Sequence, residues 1–342
     1  MRLLVIEVGA LLFLLLITIT LSLGSSFYAG LGFRALINAQ LHSNQRTKVE
    51  YAAEIFEFAL SLFPTDVRIY RGLARTYLLC DKIEEAVNLL VKAYELNPQN
   101  TLNIIDLATA YDINEQTSKA DIFWLKSGFS ADQMARKGDD YLRSESFESA
   151  LIWYERSVKV DPNTKQKLAF RLAVVSIISK DANVVDYIAA LQTLEDKEEV
   201  ARPNETLEIA GGQLNWLSDF PQWGINFGDM LLSSPNLPDG TLWWNGQAVK
   251  IVRIAATEIY TVTFELVNTS PPPIEIAVGV DGRKIQSVSL SKGDNTPQPI
   301  SITIELAAGF HTFHVWFLNN DIVEGQDRDA IIRRILIHHS LK

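Results

Sequence analysis

VRIYRGLARTYLLCDKIEEAVNLLVKAYELNP runs from Val67 to Pro98. Tyr70, Leu73, Ala74 and Tyr77 recur at helical spacing, and so do Ala86, Leu90 and Ala93. Small and large apolar residues alternate at the offsets of a helix–turn–helix unit. Pro64 and Pro98 both follow an apolar helix end, and they stand 34 residues apart. A fixed period of that length predicts a stack of helix pairs, each burying its apolar face against the next.

In period and residue choice the stretch resembles the tetratricopeptide repeat. The unit ending at Pro64 keeps Ala52, Phe56 and Ala59 on its second helix, while its first helix matches poorly. The next unit has Ile104, Leu107, Ala108, Tyr111, Ala120, Trp124 and Ser127. Another has Met134, Gly138, Tyr141, Ala150, Tyr154, Ser157 and Pro162. Pro162 lies 64 residues after Pro98, four short of two periods, so a shortened junction is expected near Gly128–Ser130. Lys165–Leu194 reads as a divergent terminal pair that caps the array. The resemblance implies an extended peptide or protein on the concave face, lined by the first helix of each pair. There Arg68, Arg71 and Arg75 share one helix side. They read either as a partner-binding basic stripe for an acidic peptide or as a solvated face. Gly72 and Arg75 stand where the carboxylate clamp of the family would want amides.

N-terminal to the repeats, Leu3–Leu23 holds 21 residues with one charge, Glu7. As a helix it would span about 31 Å, the thickness of a bilayer core. An uncleaved transmembrane anchor is expected; a cleaved signal ending near Ser22–Gly24 is the competing reading. Arg2 precedes the segment and no Lys or Arg follows until Arg34, which favours a single-pass topology with the bulk of the chain outside the cytoplasm. Phe27–Leu41 continues with helical spacing into the array.

After Glu195–Pro203, a charged run ending in proline, the apolar period changes to two. Val249–Ile254, Ile259–Leu266, Ile274–Val280, Ile285–Leu290, Ile300–Leu306, Thr312–Leu318 and Ile331–Ile337 read as strands. Asp281-Gly282 is a hairpin turn between two of them. Short sequential strands without intervening helices predict an antiparallel sandwich or jelly roll. The fold class expected is therefore multidomain. A transmembrane anchor (1–26) precedes an all-α tetratricopeptide-like solenoid (27–195), a linker (196–204) and an all-β antiparallel jelly-roll sandwich (205–342).

Within the last segment come LWWNG at Leu242–Gly246, YTVTFEL at Tyr260–Leu266 and IEIAVGVDGR at Ile274–Arg283. IELAAGFHTFHVWFLNN at Ile304–Asn320 and DRDAIIRRI at Asp327–Ile335 follow. This order is similar to the jelly-roll carbohydrate-binding modules, and most to the calcium-dependent xylan-binding type. The Gly309–Thr312 turn and the Asp327-Arg328 pair are its most specific parts. The resemblance implies calcium in loops at the sheet edge, bridging to sugar hydroxyls. The family's Asn-Asp falls on Asn319 and Asn320, and its Asp-Arg-Asn on Asp327, Arg328 and Asp329. Two departures stand out: Asn320 replaces an acid, with Asp321 one place later, and Trp244 replaces a serine. Asn320, Asp321, Asp327 and Asp329 are the implied metal ligands. Trp243, Trp244, Asn245, Asn319 and Arg328 are the implied carbohydrate contacts. Adjacent Trp243 and Trp244 would face opposite sides of a strand, one of them into the core.

The chain has 342 residues and a formal net charge of −10, which argues against nucleic acid as the partner. The one cysteine, Cys80, cannot make an internal disulfide. His311 and His314 sit at an odd offset, on opposite strand faces, and do not read as a metal pair. No phosphate loop, His-Glu-x-x-His motif or nucleophile elbow is present. The expectation is a binding protein rather than an enzyme. Three readings compete: a membrane-anchored adaptor joining a protein partner to polysaccharide, a structural scaffold whose sandwich has lost sugar and metal, and a glycan-processing enzyme, for which no stretch supplies a catalytic carboxylate pair.

Overall fold

A computed structural model describes residues 2–40, 45–192, 199–218, 241–242, 246–269, 273–290, 296–318 and 330–340. Eleven helices occupy the N-terminal part of the described chain: α1 (Arg2–Gln40), α2 (Gln45–Leu62), α3 (Val67–Leu79), α4 (Ile83–Leu96), α5 (Thr101–Ile113), α6 (Thr117–Lys126), α7 (Ala131–Arg143), α8 (Phe147–Val160), α9 (Thr164–Lys167), α10 (Ala169–Ser179) and α11 (Val184–Gln192). Eleven strands follow: β1 (Val200–Ala201), β2 (Thr206–Ala210), β3 (Asn215–Ser218), β4 (Thr241–Leu242), β5 (Gly246–Ile254), β6 (Glu258–Asn268), β7 (Ile274–Val280), β8 (Arg283–Leu290), β9 (Gln298–Leu306), β10 (Gly309–Phe317) and β11 (Ala330–His339). By packing the chain forms two compact units, Met1–Phe129 and Ser130–Lys342.

In the first unit the helices pack as successive pairs, and the small consensus residues explain how closely. Ala52, Ala59, Ala86, Ala93 and Ala120 are fully buried. Phe56 of α2 lies between two glycines. A Cβ on Gly32 of α1 would stand 2.5 Å from its ring, and one on Gly72 of α3 only 2.3 Å away. The helices start on side-chain caps: Asp66 accepts from the Arg68 amide, and Asn100 from those of Leu102 and Asn103. The turns inside the α3–α4 and α5–α6 pairs, and inside the α7–α8 pair of the second unit, are the same. Asp81, Glu115 and Glu145 take positive φ (60°, 54° and 58°), and the following amides bond back to Tyr77, Tyr111 and Tyr141. The first two turns are one period apart and the third comes four residues early, where the shortened junction was expected.

The poorly matching first helix is the C-terminal half of α1. The expected span Leu3–Leu23 lies mostly on residues whose side chains are outside the described set. Among the described residues no helix is long and apolar enough to cross a membrane.

In the second unit two sheets face each other. One runs β1-β5-β10-β7-β8 with β3 also on β5; the other runs β2-β11-β6-β9 with β4 on β11. Every pairing is antiparallel except β1 on β5. The alternation read in the sequence fills the space between them: Val252 and Ile254 of β5, Phe313, Val315 and Phe317 of β10, and Val262, Phe264 and Leu266 of β6 share one core. The seven expected strands are all present.

Four short strands were not expected, and one of them lies within the segment read as a linker. Val200–Ala201 pairs with Arg253–Ile254, and Ala201 joins the sandwich core. Leu217, Val249, Ile251 and Phe310, on the outer face of the first sheet, pack into one apolar cluster with α7, α8, α10 and α11. Strands β5 and β10 thus bury side chains on both faces, and the compact unit that holds the sheet and its helical layer begins at Ser130.

Candidate functional site

Arg68, Arg71 and Arg75 lie on one side of α3, as their spacing requires. Each is held by groups of its own unit. Arg68 Nη2 is 2.7 Å from Asp66 Oδ2 and 3.2 Å from Ser26 Oγ, and Ser25 also bonds to Asp66. The Asp66 hydrogen bond raises the Arg68 pKa above its ordinary value. Arg71 Nε reaches Asp106 Oδ2 of α5 at 2.6 Å, and Arg75 Nη2 reaches its Oδ1 at 2.9 Å. Arg71 and Asp106 are 11% and 12% exposed, so this pair is partly desolvated. The stripe is a bridge between neighbouring first helices that leaves half of Arg68 and of Arg75 in solvent. Asp106 went unnoticed in the sequence, yet the period contained it: it follows Arg71 by one period plus one residue, which puts it on the adjoining first helix.

In the second unit a polar cluster lies at the tip of the β7–β8 hairpin. Asp281 (φ 50°) and Gly282 (φ 72°) make the turn that Asp-Gly predicted. Asp281 Oδ1 accepts from the Thr312 amide at 2.9 Å, and Oδ2 lies 2.7 Å from His311 Nδ1. The other nitrogen of His311 is 2.9 Å from the Ala307 carbonyl. Both nitrogens face acceptors, an arrangement that favours the imidazolium form of His311. Burial alone would lower its pKa, but the hydrogen bond and charge of Asp281 raise it above the usual histidine value. Burial likewise pushes Asp281 up, and His311 with the Thr312 amide brings it below the usual carboxylate range.

His314 has the opposite surroundings. It is fully buried on the face of β10 that carries Thr312 and Trp316. The Gly282 amide donates to Nε2 at 3.1 Å, and Thr312 Oγ1 is 2.8 Å from the same atom. An amide N–H can only donate, so Nε2 is the acceptor and Nδ1 carries the proton. Gln247 Nε2 stands 2.7 Å from Nδ1, and with the proton on Nδ1 the Gln247 amide group turns over so that its oxygen accepts there. Burial drives the His314 pKa down to about 3, leaving it neutral. The Trp316 ring stacks on it at 5.0 Å, and Lys284 lies over that tryptophan and pairs with Glu145 beside α8 at 2.5 Å. These histidines lock the hairpin under the helical layer, and neither has a nitrogen free for a metal. The odd offset foretold opposite surroundings; the Asp281-Gly282 turn, which meets His311 through Asp281 and His314 through the Gly282 amide, was not legible as their common partner, because only the fold brings it there.

Every implied metal ligand, Asn320, Asp321, Asp327 and Asp329, lies outside the described residues. So does every implied carbohydrate contact: Trp243, Trp244, Asn245, Asn319 and Arg328. Among the described residues no group of three or more His, Cys, Asp or Glu side chains could hold a metal ion. What is described is the frame that bounds those segments. Phe317 pairs with Gly246, and Ala330 pairs with Leu242 and Asn268. Leu242 and Gly246 belong to different sheets and are joined by three residues, a link of at most about 14 Å. The strand ends bounding 243–245 and 319–329 therefore all meet at one end of the sandwich.

No family model and no curated protein sequence matches the chain. Solved structures resemble parts of it. One is the insecticidal delta-endotoxin Cry8Ea1 from Bacillus thuringiensis, with 15% identity over 43% of this chain and 26% of that one, at a TM-score of 0.30. A second is YrrB, described as a TPR protein with an unusual peptide-binding site, with 16% identity over 47% of this chain and 84% of that one, TM-score 0.29. A third is the carbohydrate-binding module CBM36 in complex with calcium and xylotriose, with 13% identity over 38% of this chain and 98% of that one, TM-score 0.28. The chain thus spans about a quarter of the endotoxin and most of the other two. Its structural neighbours include a tetratricopeptide protein and a calcium-bound carbohydrate-binding module, the two kinds of protein its sequence resembles.

Proposed function

We propose that this chain is a membrane-anchored adaptor outside the cytoplasm, which holds a protein or peptide on its helical repeats and polysaccharide at one end of its sandwich. Leu3–Leu23 is the anchor. Binding, not catalysis, is its work. The observation that carries the reading is the meeting of strand ends Leu242, Gly246, Phe317 and Ala330 at one end of the sandwich. They bound the two segments that supply all the implied sugar and metal residues, while helices close the outer face of the adjoining sheet. Calcium would be held by Asp321, Asp327 and Asp329 with Asn320, a hard-oxygen set suited to that ion. Trp243 or Trp244 would offer an aromatic face to a pyranose ring, beside Asn245, Asn319 and Arg328.

The purified full chain in detergent should be retained on insoluble xylan or another wall polysaccharide in calcium and released by chelator. Asp327→Ala should abolish retention. Added calcium should raise the melting temperature by the linkage stabilisation, about 2.7 kcal/mol at a hundredfold excess over Kd. No retention on any polysaccharide, with no calcium-induced shift, would overturn the proposal. That outcome would favour the structural scaffold, a reading supported by the internal pairing of Arg71 and Arg75 with Asp106.

A further inference from the structure

Helices α1 and α2 form a pair with two unlike sides. On one side Ala29, Leu36, Ala52, Phe56 and Ala59 are buried, and α3 rests there through Gly72. The opposite side is a groove of about 730 Å³. Tyr28, Leu31 and Ala35 line it from α1, and Tyr51, Ile55 and Phe58 from α2. The Tyr28 and Phe58 rings meet edge to face at 5.5 Å. Tyr51 and Phe58 are 60% and 53% exposed. A terminal pair that capped a helical stack would turn a polar side outward. This one turns outward aromatic rings of the kind that anchor interfaces.

Charge says what covers it. Arg34 of α1 and Lys48 and Glu54 of α2 also line the groove. Among the described residues none of the three has an ion-pair partner. An acidic peptide would leave Glu54 unmatched, and a basic one would leave Arg34 and Lys48 unmatched. A second copy of the same groove carries both signs, so that Glu54 of each can face Arg34 of the other, and a two-fold pairing places a patch on its own copy. We infer that the α1–α2 groove is a self-association surface. Two copies of this chain pack these helix pairs together, with Arg34 of each facing Glu54 of the other.

The test is the oligomeric state of the full chain in detergent micelles, measured by sedimentation at tens of micromolar. The wild type should be a dimer. Arg34→Glu and Glu54→Arg, both at exposed positions, should each weaken it about tenfold or more while leaving circular dichroism unchanged. The double variant R34E/E54R should restore the dimer, which a loss of folding could not do. Phe58→Asp should give a monomer of unchanged helicity. A monomeric wild type would overturn the inference and leave the groove to another protein or to lipid. A dimer indifferent to both single swaps would overturn it equally.

Discussion

His311 and His314 are three residues apart, yet one is held charged and the other neutral, and the sign of each effect on stability follows. Folding raises the His311 pKa above 6.5, so its stabilisation is full below 6.5 and is lost as pH rises through the raised value. Folding lowers Asp281 below 3.8, so its contribution is full above 3.8 and is lost as pH falls through the lowered value. For His314 folding moves the pKa from 6.5 to about 3. In that window the unfolded chain takes up a proton that the folded chain refuses, so stability falls as pH falls, by at most about 1.4 kcal/mol per pH unit. The three together predict that the unit holding the hairpin is most stable near pH 6.5. Melting followed from pH 4 to 9 should show a maximum there. His311→Asn should remove the alkaline decline, and His314→Gln should flatten the acid one. A profile unchanged by both variants would mean that neither ring titrates as its partners dictate.

For an element the controlling quantity is how near two helices come. At Gly72 α3 lies on Phe56 so closely that a methyl group would stand 2.3 Å from the ring; Gly138 of α7 repeats the arrangement against Tyr154 at 2.5 Å. In an isolated helix Gly→Ala would stabilise by up to about 1 kcal/mol. Here overpacking costs about 1–3 kcal/mol, so Gly72→Ala should be net destabilising in urea titration, opposite in sign to propensity. A stabilised G72A chain would mean that the ring yields without cost. Such close approaches also explain what the sequence disclosed. Gly138, Ala86 and Tyr154 recur at fixed offsets, so pairing and period could be counted. Val252 and Phe313 alternate with polar or outward residues, so the strands could be bounded. Val200–Ala201 and Thr241–Leu242 are two-residue strands, too short for any period to register. Asp106 and Asp281 are single carboxylates whose partners are fixed by tertiary placement, and no local pattern marks them. The residues implied for sugar and calcium rest on family resemblance alone.

Over the whole of the second unit, apolar surface is shared across the run where charge accumulates. Glu195–Pro203 reads as a linker by composition, but the strand that ends it is paired and the sheet beyond it is covered by helices from before it. A fragment 205–342 would lose β1 and bare Leu217, Val249, Ile251 and Phe310. Each such side chain contributes roughly 1.5–3 kcal/mol when buried, and the whole unit is stable by only about 5–15. At about 2–4 °C per kcal/mol for a chain of this size, the shorter fragment should melt about 10 °C or more below fragment 130–342, and should bind a hydrophobic dye. Fragment 130–342 should melt in one transition sensed equally by helical circular dichroism and by tryptophan fluorescence, because its helices and its first sheet share one cluster. Equal melting temperatures for the two fragments would show that the helical layer contributes nothing to the sandwich. If the difference appears, 130–342 is the smallest fragment in which a failure to bind calcium or polysaccharide reports on the site rather than on a sheet stripped of its cover.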